Sequence, residues 1–208
     1  MSSKPGACQL DRLMEGNKRL LSNKMKKRDL LNQKKYTSTK GQAPASLILS
    51  CMDSRSAPEI TFDQGVGDIF TVRLAGNVID ADQLGGMEFA TNVVGTKLIV
   101  IMGHTKCGAV GGACSDVKLG NLTQLLDKIK PAVDVIKAKQ EAKLACDDYK
   151  TIDLISRQNV LNSMKQVIEG SPLIKEQIES KKVMLVGAMH DISTGKVVFF
   201  DESGTDIN

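Results

Sequence analysis

Residues 98–108 read Leu-Ile-Val-Ile-Met-Gly-His-Thr-Lys-Cys-Gly, an apolar run that ends at a turn carrying a histidine and a cysteine. A short apolar run bounded by turn residues predicts a buried β-strand. Three further runs share this pattern, at 47–51, 69–73 and 183–187. Strands that are apolar along their whole length are typical of a parallel sheet covered on both faces. The sequence therefore predicts a mainly parallel central sheet.

Segments of helical length separate these strands, at 83–94, 122–143, 152–168 and 173–180, and an amphipathic helix is predicted at 8–24. Alternation of strands and helices predicts an α/β fold with a sheet flanked by helices. Near the end, Ser193-Thr-Gly195 separates two apolar runs and predicts a C-terminal hairpin with an antiparallel edge strand. We expect a single domain over 1–208, made of an N-terminal helical arm (1–40) and an α/β core (41–208).

The composition excludes several functional classes. With 41% hydrophobic and 25% charged residues the chain is too apolar for disorder, and no run reaches the ~18 apolar residues of a membrane-spanning helix. Residues 18–40 hold nine Lys or Arg against one acid, Asp29. We interpret this run as a solvated, partly helical face, with contact to an anion or a partner as the alternative. Aromatic residues make up only 3%, so surfaces that stack on nucleic acid bases are lacking.

These features lead us to expect no nucleic-acid and no membrane partner. The N-terminus carries no apolar signal segment, which favours a cytoplasmic location.

The cysteines favour metal binding over cross-linking. There are five in the chain, an odd number, and no Cys-x-x-Cys pair. A chain of this length does not need disulfides for stability, so we expect metal-bound or free buried thiols. We expect three of the five not to bind metal: Cys8, Cys114 and Cys146.

The predicted strands 47–51 and 98–102 are each followed or ended by residues of the types that bind zinc in proteins. Cys51 ends the first strand, and His104 and Cys107 follow the second within one turn. The carboxyl ends of neighbouring parallel strands lie at the same edge of a sheet. A single cysteine at a strand end is more often a buried apolar group, but the combination favours one Zn2+ per chain. Two thiolates and one imidazole leave a tetrahedral position open, as in catalytic zinc sites.

Asp53 and Arg55, two and four residues after Cys51, could form an ion pair that orients a zinc-bound water. Because two thiolates cancel the charge of zinc, its bound water is acidified less and benefits from a nearby hydrogen-bond acceptor. Asp53 would accept that hydrogen bond, while Arg55 would hold the carboxylate off the metal in a bidentate pair. Two alternatives stay open: Asp53 fills the fourth metal position, or the two residues form an ordinary ion pair.

Eight segments of the chain resemble the β-class carbonic anhydrases. They are Leu-Met-Glu-Gly-Asn-Lys-Arg at 13–19, Gln-x-Pro at 42–44, Cys-x-Asp-x-Arg at 51–55, Gly-Asp-Ile-Phe at 67–70, Arg-Leu-Ala-Gly-Asn at 73–77, Met-Glu-Phe-Ala at 87–90, Gly-His-x-x-Cys-Gly at 103–108, and the hairpin at 187–197. The resemblance implies a lyase that hydrates CO2 reversibly to bicarbonate and a proton, with zinc-bound hydroxide as nucleophile. It implies Cys51, His104 and Cys107 as zinc ligands and Asp53 with Arg55 as the catalytic pair.

The resemblance also implies a substrate pocket and self-association. The amide of Gln42 and the backbone N–H of Gly108 would donate to the substrate, and Phe70 and Phe89 would line a narrow apolar pocket. Family members are dimers or larger, with the N-terminal helix on a partner subunit, so a homodimer or homotetramer is expected. Hydrolysis of COS or CS2, as in relatives with this architecture, is one alternative. A non-catalytic zinc protein is another.

One departure from the family concerns inhibition. A subgroup carries a non-catalytic bicarbonate site built from Trp, Arg and Tyr, and the corresponding residues here are Ile48, Arg73 and His190. We therefore expect no such site and an open position on the zinc. His190 is expected to be structural or exposed rather than a proton shuttle.

Overall fold

A six-stranded sheet forms the centre of the computed structural model, which describes residues 6–139 and 145–207. The strands are β1 (Ser46–Ser50), β2 (Ile69–Arg73), β3 (Leu98–His104), β4 (Met184–His190), β5 (Val197–Phe200) and β6 (Asp206–Ile207). They lie in the order β2-β1-β3-β4-β5-β6. The first four are parallel, and β5 and β6 run antiparallel to their neighbours. The predicted mainly parallel sheet with an antiparallel edge is confirmed.

The two central strands explain the uninterrupted apolar runs in the sequence. Every residue of β1 and of β3 is buried, because helices cover both faces of the sheet. The register pairs Ser50 with Met102 and His104 with His190. Residues that follow β1 and those that end β3 therefore lie at one edge of the sheet, the carboxyl edge.

Side chains of each strand alternate between two cores. On one face, Leu47 and Ile99 pack with Met164 of a long helix, α8 (Tyr149–Gly170). On the other, Ile48 packs with Leu13 of the N-terminal helix, α1 (Ala7–Leu21). The predicted N-terminal helix thus exists, and its apolar stripe is part of the core.

The remaining helices are α2 (Leu30–Lys40), α3 (Pro58–Thr61), α4 (Ala81–Glu88), α5 (Gly108–Cys114), α6 (Gly120–Asp127), α7 (Lys130–Lys139) and α9 (Pro172–Glu179). The helix expected over 122–143 is two helices, α6 and α7, and its last four positions lie outside the described residues. The segment expected over 83–94 is α4 continued by a π-helical turn, Phe89–Val94.

The basic run includes α2, a helix with no buried residue. Asp29 caps it by accepting a hydrogen bond from the backbone N–H of Asn32 at 2.9 Å. The structure thus agrees with a solvated, helical face for residues 30–40 of this run. The division into an arm (1–40) and a core (41–208) stays a prediction.

A buried carboxylate anchors the chain between α1 and α2. Asp63 has no exposed side-chain surface and pairs with Arg19 and Arg28, and it also accepts from the backbone N–H of Lys26. Burial by itself raises the pKa of Asp63, but the two guanidinium groups lower it overall. The carboxylate therefore stays charged and ties the basic segment to the end of α3.

No helix within 6–139 or 145–207 is long and apolar enough to cross a membrane.

Candidate metal centre

Three side chains of the types that bind zinc meet at the carboxyl edge of the sheet. Cys51 follows β1, His104 ends β3, and Cys107 precedes the first residue of α5. One ligand atom from each lies within 4.8 Å of the others, and all three residues are buried. The parallel register of β1 and β3 brings them together, since both strands end at this edge.

The trio has the chemistry of a zinc site. His104 Nδ1 lies 2.9 Å from the carbonyl oxygen of Thr105, and because a carbonyl only accepts, Nδ1 carries the proton. Nε2 is then a lone-pair donor, and it is buried without a hydrogen-bond partner among the described residues. A carbonyl on the second ring nitrogen is the usual support of a metal-binding histidine. Two thiolates and an imidazole suit tetrahedral zinc.

The two thiols differ in how readily they ionise. The neighbouring Cys107 and His104 side chains lower the pKa of Cys51 against the effect of burial. The charge on Cys51, together with burial, raises the pKa of Cys107. Burial alone lowers the pKa of His104, but the adjacent negative charge on Cys51 raises it overall. Cys51 therefore holds the first negative charge, and a bound cation would deprotonate Cys107.

Asp53 and Arg55 form a bidentate ion pair beside this trio. Arg55 Nε donates to Asp53 Oδ1 at 3.0 Å and Nη2 donates to Oδ2 at 2.7 Å. These bonds hold the pKa of Asp53 well below its usual range. Both carboxylate oxygens are engaged by the guanidinium, which favours the orienting role over metal coordination.

Three hydrogen bonds that no motif in the sequence predicts brace this loop. Arg73 donates to the carbonyl oxygens of Cys51, at 3.1 Å, and of Asp53, at 2.5 Å. Ser56 Oγ lies 2.8 Å from Nδ1 of His190, and both residues are buried. Burial and the nearby His104 lower the pKa of His190. A buried, hydrogen-bonded histidine agrees with the structural role expected for it.

One chain brings only part of the expected substrate pocket to the metal centre. Gly108 lies there, because it follows Cys107 and begins α5, where the first N–H groups have no partner within the helix. Phe70 lies opposite Leu47 in the sheet, four residues before Cys51. Four residues of extended strand span about 13 Å, so Phe70 of the same chain lies well away from Cys51. The ring of Phe89 meets that of Phe70 at 6.4 Å and is half exposed.

Gln42 lies at the opposite edge of the sheet from the one that carries the trio. It is exposed and comes four residues before β1, at the amino edge of the sheet. β1 itself spans about 16 Å between this edge and Cys51.

The expectation of no disulfide is wrong for one pair. Cys114, which ends α5, and Cys146, shortly before α8, form a disulfide across a sequence separation of 32. Docking of α5 against α8 brings them together, and no sequence spacing signals this. The other three cysteines are free thiols. A cytoplasmic location stays a prediction, and the disulfide counts against a strongly reducing compartment.

Comparison with known proteins gives one consistent result. A family model described as carbonic anhydrase matches residues 46–197. The protein named carbonic anhydrase 2 of Mycobacterium tuberculosis is 32% identical over 197 residues, which covers 92% of this chain and 91% of that protein.

Two solved structures share the fold. The β-carbonic anhydrase CafA of Aspergillus fumigatus superposes with a TM-score of 0.73 at 25% identity, covering 94% of this chain and 90% of that one. One of two β-carbonic anhydrases of Sordaria macrospora, described as tetrameric, gives a TM-score of 0.70 at 24% identity, covering 97% and 100%.

Proposed function

The chain belongs to the β-class carbonic anhydrase family, and on that premise we propose how its own residues divide the work. The reaction is the zinc-dependent, reversible hydration of CO2 to bicarbonate and a proton. We propose one zinc ion per chain, held by Cys51, His104 and Cys107. Two observations carry this assignment. The Nε2 of His104 is buried and has no protein partner within the described residues, and a ring nitrogen of His104 lies within 4.8 Å of both cysteine sulfurs.

The zinc ion, when bound, lowers the pKa of a coordinated water from ~15.7 toward ~7 and supplies the hydroxide for attack on CO2. Asp53, kept ionised by Arg55, accepts a hydrogen bond from the attacking water and sets its direction. Gly108 donates its backbone N–H to a substrate oxygen. Arg73 holds the Cys51 and Asp53 carbonyls, so the loop keeps its shape while the substrate exchanges.

The proposed assembly is a homodimer or a homotetramer. In it, a second copy of the chain completes the substrate pocket. β2 is an edge strand with every residue only partly buried, and edge strands offer unpaired backbone groups to another chain. A second copy against β2 and Phe89 would carry Gln42, Phe70 and Phe89 toward the partner's metal centre. The tetrameric assembly named for the Sordaria macrospora structures supports this proposal.

The proposed site has an open fourth position and no inhibitory bicarbonate site. Ile48 is buried in the core, Arg73 is engaged by two carbonyls, and His190 is held by Ser56. None of these three side chains is arranged to hold an anion.

The test of the proposed function is stopped-flow CO2 hydration at mildly alkaline pH on protein of known zinc content. We expect turnover proportional to zinc, with a plateau at one ion per chain. Absence of turnover at that zinc content would contradict the proposal.

A mixing experiment tests the shared pocket. Asp53→Ala and Gln42→Ala are each expected to be poorly active, and co-expression of the two should restore activity in mixed dimers. One site of each mixed dimer then has an intact Asp53 and receives an intact Gln42 from its partner. If Gln42 acts within its own chain, the mixture stays as inactive as the separate variants. Sedimentation equilibrium should give two or four times the 22.5 kDa chain mass.

A further inference from the structure

The sulfur of Cys51 has a backbone hydrogen-bond donor that comes from a different loop. The N–H of Gly76 donates to Cys51 Sγ at 3.3 Å. Gly76 lies in the short turn Ala75–Asn77 after β2, with a φ of 66°. A Cβ at this position would lie 2.5 Å from Ile129 Cδ1. The turn therefore needs glycine both for its left-handed backbone and for its close approach to Ile129.

A side chain of α8 holds this glycine in place. Asn159 is buried, and its Nδ2 donates to the carbonyl oxygen of Gly76 at 2.8 Å. Glycine rotates its two peptide planes more freely than any other residue. The Gly76 carbonyl and the Gly76 N–H lie in two adjacent peptide planes joined at the Gly76 Cα. Because Asn159 fixes the first plane, the turn has fewer backbone conformations in which the second plane can turn away from Cys51. The result is a continuous chain of two hydrogen bonds from α8, through the Gly76 backbone, to the Cys51 sulfur.

We propose that Asn159 is a positioning residue of the metal centre, which holds Gly76 so that its N–H stays on the Cys51 sulfur. An N–H group on a metal-bound thiolate withdraws charge from the sulfur, and contacts of this outer kind tune the metal. Asn159 would thereby set how much charge Cys51 donates to the zinc. This inference rests on the proposed function, because the metal is the one assigned to Cys51, His104 and Cys107.

Ser163 offers a matched control one turn further along α8. It is also buried, and its Oγ donates to the carbonyl oxygen of Asn77, the next residue of the same turn, at 3.3 Å. The N–H of Asn77 donates to Leu74 and not to Cys51. Ser163 thus braces the same turn from the same helix without acting on the sulfur.

Replacement of zinc by Co2+ allows an absorption measurement that reports on the Cys51 sulfur. A residue that only stabilises the fold would not change it. Thiolate-bound Co2+ shows charge-transfer absorption whose energy depends on the charge of the sulfur. We expect Asn159→Ala to move this band to longer wavelength, because the sulfur then carries more charge. We also expect it to weaken zinc binding by about 10-fold in chelator competition, because the ligand loop is held less firmly. Asn159→Ser, a milder change, should shift the band in the same direction. Ser163→Ala should leave the band in place, even where it lowers the midpoint of urea unfolding.

Three results would overturn the proposal. The first is an unchanged band in folded Asn159→Ser, which is the variant to use if Asn159→Ala does not fold. The second is an equal shift in Ser163→Ala, since this would make the effect one of general packing. The third is a wild-type protein that binds Co2+ without charge-transfer absorption, and this result alone would also remove the proposed metal centre.

Discussion

Asp53 Oδ2 lies 3.9 Å from His104 Nε2, yet both oxygens of this carboxylate are bonded to Arg55. The arrangement places a negative charge beside the nitrogen that would bind the metal, while the guanidinium would keep the carboxylate off a bound ion. Because the charge is paired, Asp53 stays ionised throughout the neutral range. To orient a water at the candidate metal site, the protein needs a hydrogen-bond acceptor held in a fixed direction, and the paired Asp53 carboxylate is such an acceptor.

Replacing Asp53 should separate catalysis from metal binding. We expect Asp53→Ala to lower CO2 hydration by at least about 100-fold, since it removes the positioned acceptor, and to leave the zinc content unchanged. Stopped-flow rates and metal analysis on the same preparation measure both quantities. Asp11→Ala, at an exposed position of α1, is the control and should match the wild type. Loss of zinc from Asp53→Ala would instead identify Asp53 as a ligand.

Replacing a metal-binding thiol should abolish both metal and activity. In Cys51→Ser or Cys107→Ser, a hydroxyl replaces a thiolate that carries one of the ligand charges, so we expect zinc to be lost on dialysis. Cys8→Ser is the matched control, because Cys8 is an exposed free thiol far from the trio in sequence. Full zinc retention by Cys107→Ser would show that the ligand set is misassigned.

The disulfide should be visible as a thiol count and as a difference in stability. The unfolded, zinc-free chain is expected to react with a thiol reagent at three positions before reduction and at all five cysteines after it. Cys114→Ser should lower the free energy of unfolding by about 3–4 kcal/mol, from the loop entropy released in the unfolded state. With reductant present, wild type and Cys114→Ser should unfold alike. Five reactive thiols without reductant would disprove the bond.

The buried Asp63 should make the fold sensitive to acid. Its pKa is lowered in the folded chain by Arg28 and Arg19, so its stabilising contribution is fully present above the unfolded value of about 3.9. This contribution is lost as the pH falls through the lower folded value. Asp63→Asn should therefore cost about 3 kcal/mol at neutral pH and flatten the dependence of stability on pH below about 4.

Urea unfolding at neutral pH and at about pH 3 measures this effect. Asp11→Asn, which changes an exposed carboxyl group, serves as the control. An Asp63→Asn protein that loses as much stability in acid as the wild type would show that other carboxylates carry the acid sensitivity.

The strands were the most predictable part of the fold. A parallel strand buried on both faces has to be apolar at successive positions, so β1 and β3 are visible as runs in the sequence. Helix ends were less predictable, as the break between α6 and α7 shows. The prediction of one helix over 122–143 ran through Pro131, the second residue of α7. A proline has no N–H to bond to the carbonyl four residues earlier, so it fits the first turn of a helix and not its interior.

The grouping of Cys51, His104 and Cys107 was predictable because these residues belong to local motifs at strand ends. Cys51, Asp53 and Arg55 lie within one turn, and His104 and Cys107 within another. The rule that neighbouring parallel strands end at one edge is enough to bring the two motifs together.

The sequence by itself determined that the sheet is mainly parallel, which edge of it carries the candidate site and which motifs lie there. Each of these follows from local patterns and from backbone pairing. Only the tertiary structure decided which distant groups support that edge. The contact of Asn159 with Gly76 spans 83 residues, and the Cys114–Cys146 bond spans 32. Such contacts depend on how helices dock on the sheet, and docking is set by the packing of many side chains together rather than by any short stretch of sequence.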